Sequence, residues 1–245
     1  MDLSGPSTWR FAAARLQLWP AAPPAGIEPL MHGWVHKGNE RMLRRLIQER
    51  APRVIVELGS WLGLCTELML EESAPFGSSL FAIDRWDASW LLSEQADQYA
   101  HDAEAQRLLV AFRDSLYETF IANLWAHRSR LFPLRMDTLE GMSTVQSLGA
   151  AASVGLVYVD ADHSKARVLE DIRMARRCFP NAVCCGDDWQ WPGVRAAVEE
   201  YAAESPIRLL VHAHSAENWW WLEPSSVVPV SSLHSPDDDQ QSESG

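Results

Sequence analysis

The stretch Val54-Ile55-Val56-Glu57-Leu58-Gly59-Ser60-Trp61-Leu62-Gly63-Leu64-Cys65-Thr66 decides the fold. An apolar run of strand length meets an acid, passes two glycines and enters a segment suited to a helix. Glycines at such a place permit a tight turn and a close approach of a ligand to backbone N–H groups at a helix N-terminus. The turn therefore reads as a nucleotide-type site. A dinucleotide fingerprint needs a further glycine where Trp61 stands, because the backbone must meet a pyrophosphate there. An NAD site is disfavoured.

Outward from this unit, short apolar runs alternate with amphipathic stretches, as expected of βαβ units around a buried parallel sheet. Strands are predicted at Arg53 to Leu58, Leu80 to Asp84, Arg130 to Leu134, Leu156 to Asp160 and Ala182 to Gly186. Helices follow from spacing: Val168, Ile172, Ala175 and Phe179 share one stripe, with Arg167, Glu170, Asp171 and Arg173 outside it. Val194, Ala197, Val198 and Tyr201 share another, opened by Pro192. Ile207 to Ala213 and Asn218 to Leu222 are joined by four residues, so they pair antiparallel. Trp219, Trp220 and Trp221 in this hairpin are expected to alternate between faces covered by helices. The connection from Arg85 to Ser129 is long, with helical stretches near Ser93 to Asp114 and Leu116 to Arg128. Its Tyr99, Phe112, Tyr117, Phe120 and Trp125 are expected either to wall a substrate site or simply to pack.

Acids stand at the strand ends. Asp84 follows Glu57 by 27 residues, a place from which a carboxylate can accept hydrogen bonds from both ribose hydroxyls. Asp137-Thr138, after the third strand, can meet an adenine amino group. Asp160, Asp162 and His163 follow the fourth strand, and Asp187 and Asp188 the fifth. Neighbouring strands would bring three or more of these carboxylates into one small volume, and mutual repulsion would force some to take up protons unless a cation sits among them. Hard oxygen donors suit Mg²⁺ or Ca²⁺. The competing reading of Asp187-Asp188 is a capped loop before the Pro192 helix.

The chain resembles the class I S-adenosylmethionine-dependent methyltransferases, and within them the small-molecule branch that includes macrocin-O-methyltransferase-like proteins. The resemblance runs from about His32 to Pro224 and rests on Glu57 to Thr66, Ile83 to Trp86, Val159 to Ile172 and Gly186 to Tyr201. It implies a single doubly wound, Rossmann-like α/β domain with a seven-stranded, mostly parallel sheet in the order 3-2-1-4-5-7-6. It also implies that Glu57, Gly59, Ser60 and Gly63 hold the methionine half of S-adenosylmethionine, Asp84 the ribose and Asp137 the adenine. In metal-dependent members, acids matching Asp160, Asp187 and Asp188 bind a divalent ion, here expected to be Mg²⁺, which orients and acidifies an acceptor hydroxyl. His163 stands three residues after Asp160, where related enzymes carry a Lys or His base. Asp162 competes for that role and Lys165 is a third candidate. The implied activity is O-methylation of a small hydroxylated metabolite. The alternatives are a metal-independent enzyme of the same fold and a non-catalytic cofactor-binding subunit.

The 245 residues carry 21 Lys+Arg against 33 Asp+Glu, a net charge of −12 that opposes a nucleic-acid partner. The (D/N)PPY motif of nucleic-acid methyltransferases is also replaced, by VDADH at residues 159–163. No apolar run is long enough to span a membrane, and the N-terminus does not read as a secretory signal, so a cytoplasmic protein is expected. Cys65, Cys178, Cys184 and Cys185 fit no zinc or disulfide pattern and read as small buried hydrophobes. His212 and His214 read as satisfied surface side chains. Residues 1–30 form an irregular arm with a short helix near Trp9 to Leu18, compatible with a homo-oligomer in which the arm reaches a neighbour. The domain spans 31–230 with a helical insertion at about 86–128, and residues 231–245 form a disordered acidic tail holding four of the net negative charges.

Overall fold

Strand β1 (Val54–Leu58) is buried along its whole length, and its side chains alternate between two faces, as a pleated strand requires. Val54, Val56 and Leu58 join one apolar cluster and Ile55 joins the other. The same alternation runs through β2 (Ser79–Asp84), β3 (Leu131–Arg135), β4 (Val154–Val159) and β5 (Val183–Asp187). In the computed structural model, which describes residues 8–89, 91, 103–205 and 209–224, these five strands are parallel. They are followed by an antiparallel hairpin, β6 (Leu209–His214) and β7 (Trp219–Pro224). The sheet order is β3-β2-β1-β4-β5-β7-β6, as the resemblance implies. Strand limits move by one or two residues from the sequence expectation, so that Asp160 lies just beyond the tip of β4 and Asp187 is the last residue of β5.

Helices cover both faces. In chain order they are α1 (Thr8–Ala14), α2 (Lys37–Arg50), α3 (Leu64–Glu72), α4 (Ala103–Ala111), α5 (Leu116–Asn123), α6 (Thr138–Ser147), α7 (Lys165–Cys178) and α8 (Pro192–Glu204). Helices α1, α6, α7 and α8 cover the Val54 face; α2, α3, α4 and α5 cover the Ile55 face. The three tryptophans of β7 divide as expected: Trp220 joins the first cluster and Trp221 the second, with Trp219 stacked on Trp221 at 4.8 Å. All four cysteines are buried and free. His212 stacks on Trp221 at 4.7 Å, while the Nδ1 of His214 accepts from Glu217 N–H.

Three points that the sequence left open or read otherwise are placed by the structure. The described part of the arm is docked on this chain's own sheet: Trp9 is buried 5.5 Å from Phe81 and 5.6 Å from Phe132, and Trp19 Nε1 donates to the Leu131 carbonyl. Burying the Trp9 indole and half-burying that of Trp19 there offers more than a solvent-exposed arm could. In the long connection, Phe120 is fully buried against Trp86 and Tyr117 donates to the Leu18 carbonyl, so these aromatics pack and do not wall a site. Tyr99 and the tail at 231–245 lie outside the described residues. Finally, Asp171 is not on the solvent side of α7 but only 1% exposed. No helix among the described residues is long and apolar enough to cross a membrane.

Asp171 accepts a hydrogen bond from Thr138 Oγ1, yet burial pushes its carboxyl up to about 7 from the ordinary 3.8, with Thr138 and the nearby Arg167 opposing that rise. Below pH 3.8 the group is protonated both folded and unfolded and contributes nothing. As pH rises, the unfolded chain ionises first, so the native state loses stability until the folded carboxyl also ionises near pH 7. Asp171→Asn escapes this loss. The variant should gain on the wild type between pH 4 and pH 7.5 by up to about 4 kcal/mol, read from urea midpoints across that range.

Candidate active site

Because β1 to β5 run parallel, their carboxyl ends share one rim, where open α/β sheets bind ligands. A cavity of about 610 Å³ opens there, within the usual range for a small-molecule site. Its floor is the turn after β1. Gly59 has φ +83°, and a Cβ on it would lie 2.1 Å from the Asp160 carbonyl oxygen, so only glycine fits. The Asp84 carboxylate holds this turn from β2: Oδ2 accepts from the Ser60 and Trp61 N–H groups at 2.9 and 3.0 Å, and Oδ1 from Trp86 N–H at 2.7 Å. Burial raises the Asp84 pKa and the N–H bonds oppose that rise. The Arg85 N–H adds a fourth contact, so the carboxylate is held in place by backbone donors on both oxygens.

Glu57 and Gly63 stand behind the cavity wall and do not line it, unlike the contact role expected of them. The Glu57 side chain falls on the α2/α3 face of β1, where the Ser60 and Thr66 hydroxyls donate to its Oε2 at 2.7 and 2.5 Å. Burial pushes its carboxyl up to about 8, and Oε1 has no partner among the described residues. Glu57 braces the turn. At the opposite end, Asp137 caps α6 by accepting from Leu139 N–H, and its Oδ2 pairs with Arg167 at 2.9 Å and Arg85 at 3.8 Å.

Beyond β4 and β5 the acids converge. One ligand atom from each of Asp160, His163 and Asp188 falls within 4.8 Å of the others. This trio differs from the expected Asp160, Asp187 and Asp188. Asp187 lines the cavity, but its Oδ2 accepts from Asn39 Nδ2 at 2.7 Å and its Oδ1 from Asp188 N–H at 2.7 Å. Asp188, at φ +65°, turns back toward His163, whose Nε2 lies 2.5 Å from Asp188 Oδ2. A non-glycine residue in that region is strained, a feature that gathers at functional sites. Asn218 Nδ2 donates to Asp188 Oδ1 and helps hold it there. Burial and the charges of Asp187 and Asp188 push the Asp160 carboxyl well above its usual range; burial and Asp188 push Asp187 up to about 7.

The other base candidates point elsewhere. Asp162 lines the cavity, but its Oδ1 accepts from Ser164 N–H at 2.6 Å at the start of α7. Lys165 pairs with Glu200 at 2.5 Å. Sequence reasoning missed four contributors. Asn39 sits under the acids from α2, and Trp191 lies over His163 with ring centroids 4.4 Å apart. His32 accepts from Trp61 Nε1 at 3.0 Å, and Trp34 lies 5.5 Å from Trp61, so the segment before α2 forms an aromatic side of the cavity. That segment is stapled by Asn123, which bonds both backbone groups of Leu30. Trp191 is three residues beyond Asp188 and could have been noticed; His32, Trp34 and Asn39 carry no signal short of the fold.

Residues 56–189 match a family described as a methyltransferase domain. The match spans more than half of the chain, and the chain belongs to that family. No curated protein matches the sequence. Among solved structures it is similar to cofactor-bound Rv0187 from MTB, with 16% identity, 86% of each chain covered and a TM-score of 0.53. It is also similar to the O-methyltransferase TomG from Streptomyces achromogenes, involved in tomaymycin synthesis and solved with SAM. That match has 19% identity, covers 77% of this chain and 80% of that one, and has a TM-score of 0.53. Family, sheet order and rim cavity make this protein a class I S-adenosylmethionine-dependent methyltransferase.

Gly59→Ala should cost more than about 1 kcal/mol of stability, because the native φ and the Asp160 carbonyl both exclude a methyl group. Urea unfolding measures this. Calorimetry on the folded fraction should show loss of S-adenosylmethionine binding.

Proposed function

We propose that the protein transfers the methyl group of S-adenosylmethionine to a hydroxyl of a small molecule, assisted by a divalent cation. The observation that carries this reading is the convergence of Asp160, His163 and Asp188 beside the turn held by Asp84. Gly59, Ser60, Asp84 and Asp137 would hold the methyl donor along the cavity, with Glu57 bracing the turn beneath. The donor, when bound, supplies an electrophilic methyl on a positively charged sulfur. Cavity acids favour that charge, and the Arg85 and Arg167 guanidiniums are drawn to Asp137 at the far end.

A neutral hydroxyl is a poor nucleophile, so its proton must leave during attack. His163 suits that task. With Nε2 engaged by Asp188, the tautomer that donates to the carboxylate leaves a lone pair on Nδ1, a buried atom without a partner among the described residues, so the ring has to shift for that nitrogen to meet an acceptor hydroxyl. Asp188 would stabilise the imidazolium as it forms. The cavity fits a cation as well: two carboxylates, Asp160 and Asp188, are the donors Mg²⁺ usually takes from protein, with Asp187 adding charge nearby. A cation bound there would act as a Lewis acid toward the acceptor oxygen. The metal-independent reading is favoured by one observation, the 2.5 Å contact of His163 with Asp188, which makes a self-sufficient base.

Transfer of labelled methyl from S-adenosylmethionine into a panel of hydroxylated acceptors tests the activity; no turnover with any acceptor would leave a cofactor-binding subunit. Activity that survives EDTA and Asp160→Asn selects the metal-independent reading. His163→Ala should lower kcat by about 10²- to 10⁴-fold while the Kd for S-adenosylmethionine, from calorimetry, stays within twofold.

A further inference from the structure

Asn39 is fully buried, and it lies in the first turn of α2, far in sequence from the acids at the tips of β4 and β5. Its Nδ2 donates at 2.7 Å to Asp187 Oδ2 and at 2.6 Å to the Tyr158 hydroxyl. A carboxylate only accepts, so the amide must present its NH₂ side to Asp187, and this fixes which way the side chain lies. Tyr158 is buried in β4, two residues before Asp160, and its hydroxyl favours the ionised form of the Asp160 carboxyl. From Asp187 the connection continues through Oδ1 to the N–H of Asp188, the residue held at φ +65°. One amide therefore joins Asp187, and through it Asp188, to the phenol that stands beside Asp160. Neither Asn39 nor Tyr158 lines the cavity.

The position of Asn39 is built for this. A Cβ on the preceding Gly38 would lie 2.1 Å from the Glu217 side chain and 2.9 Å from its Cα, so the helix start is seated against the turn Ser215–Glu217 before β7 as only glycine allows. That seating brings Asn39 beneath the tip of β5. Asn39 Oδ1 has no partner among the described residues. The bonds to Tyr158 and Asp187 are what this position retains.

We infer that Asn39 and Tyr158 are positioning residues that aim Asp160 and Asp188 at a shared cation. The inference rests on the cation reading above. Hydrogen bonds behind metal ligands fix their orientation, and losing one typically weakens metal binding about 10- to 100-fold. Mn²⁺ titration followed by electron paramagnetic resonance reads this directly on the purified full chain, without turnover. Tyr158→Phe keeps the ring volume and removes only the hydroxyl; Asn39→Leu removes both donors. Each should weaken Mn²⁺ binding by about tenfold or more, with S-adenosylmethionine affinity within twofold of the wild type by calorimetry. Because the two act along one connection, the double variant should lose less than the product of the single losses. If Asn39→Leu does not fold, Tyr158→Phe decides alone. Wild-type binding with unchanged binding in the folded variants overturns the positioning role and leaves the cation reading intact. A wild-type protein that binds no Mn²⁺ at millimolar concentration overturns both.

Discussion

Mutual repulsion among carboxylates gathered on one rim is the constraint that shapes this molecule. Parallel strands send Asp84, Asp160 and Asp187 to the same edge of the sheet, with Asp188 one residue further. Each has to be stabilised in partial burial, and each is answered differently. Asp84 takes backbone N–H groups, Asp187 an amide and an N–H, Asp160 a buried phenol, and Asp188 an imidazole and Asn218. The donors come from the turns after β1 and β2, from β4, α2, the loop before α7 and the hairpin, so the whole domain is tied to the rim by the need to hold these charges.

The same bonds serve the turn after β1, where the methyl donor is proposed to bind. Asp84 reaches across from β2 to the amides of Ser60 and Trp61, and Glu57 reaches forward to the hydroxyls of Ser60 and Thr66. The turn is thereby fixed from both sides before any ligand arrives. Preorganisation of this kind lowers the ordering cost of binding. Glu57 is kept largely protonated at neutral pH by burial, so it braces the turn without adding another charge to an already negative rim.

Much of this was legible in one dimension. The parallel strands followed from apolar runs, the hairpin from its four-residue link, and the two helix stripes from their spacing. Val168, Ile172 and Ala175 are indeed buried. Asp171 broke the pattern because helix periodicity separates faces by average polarity, and it cannot anticipate that Thr138 and Arg167 will wait beside one carboxylate. The aromatic-rich connection stayed open between two readings for a similar reason. Composition places aromatics near the rim, whereas only packing decides that Phe120 closes on Trp86 and that the aromatic side of the cavity is built from Trp34, Trp61 and Trp191.

The sequence by itself determined the acids at the strand tips and the glycine turn, because strand period and turn chemistry are local and survive without the rest of the chain. It also determined the methyltransferase family. Tertiary structure alone decided which donors converge: His163 joins Asp160 and Asp188, while Asp187 is drawn back to Asn39, 148 residues away. The direction of a side chain at a strand end depends on what packs against it, and here that is a helix start seated by Gly38 against a turn from the opposite end of the chain. Hydrogen bonds between such distant segments have no periodicity to read, so they exist only once the sheet has brought the segments together.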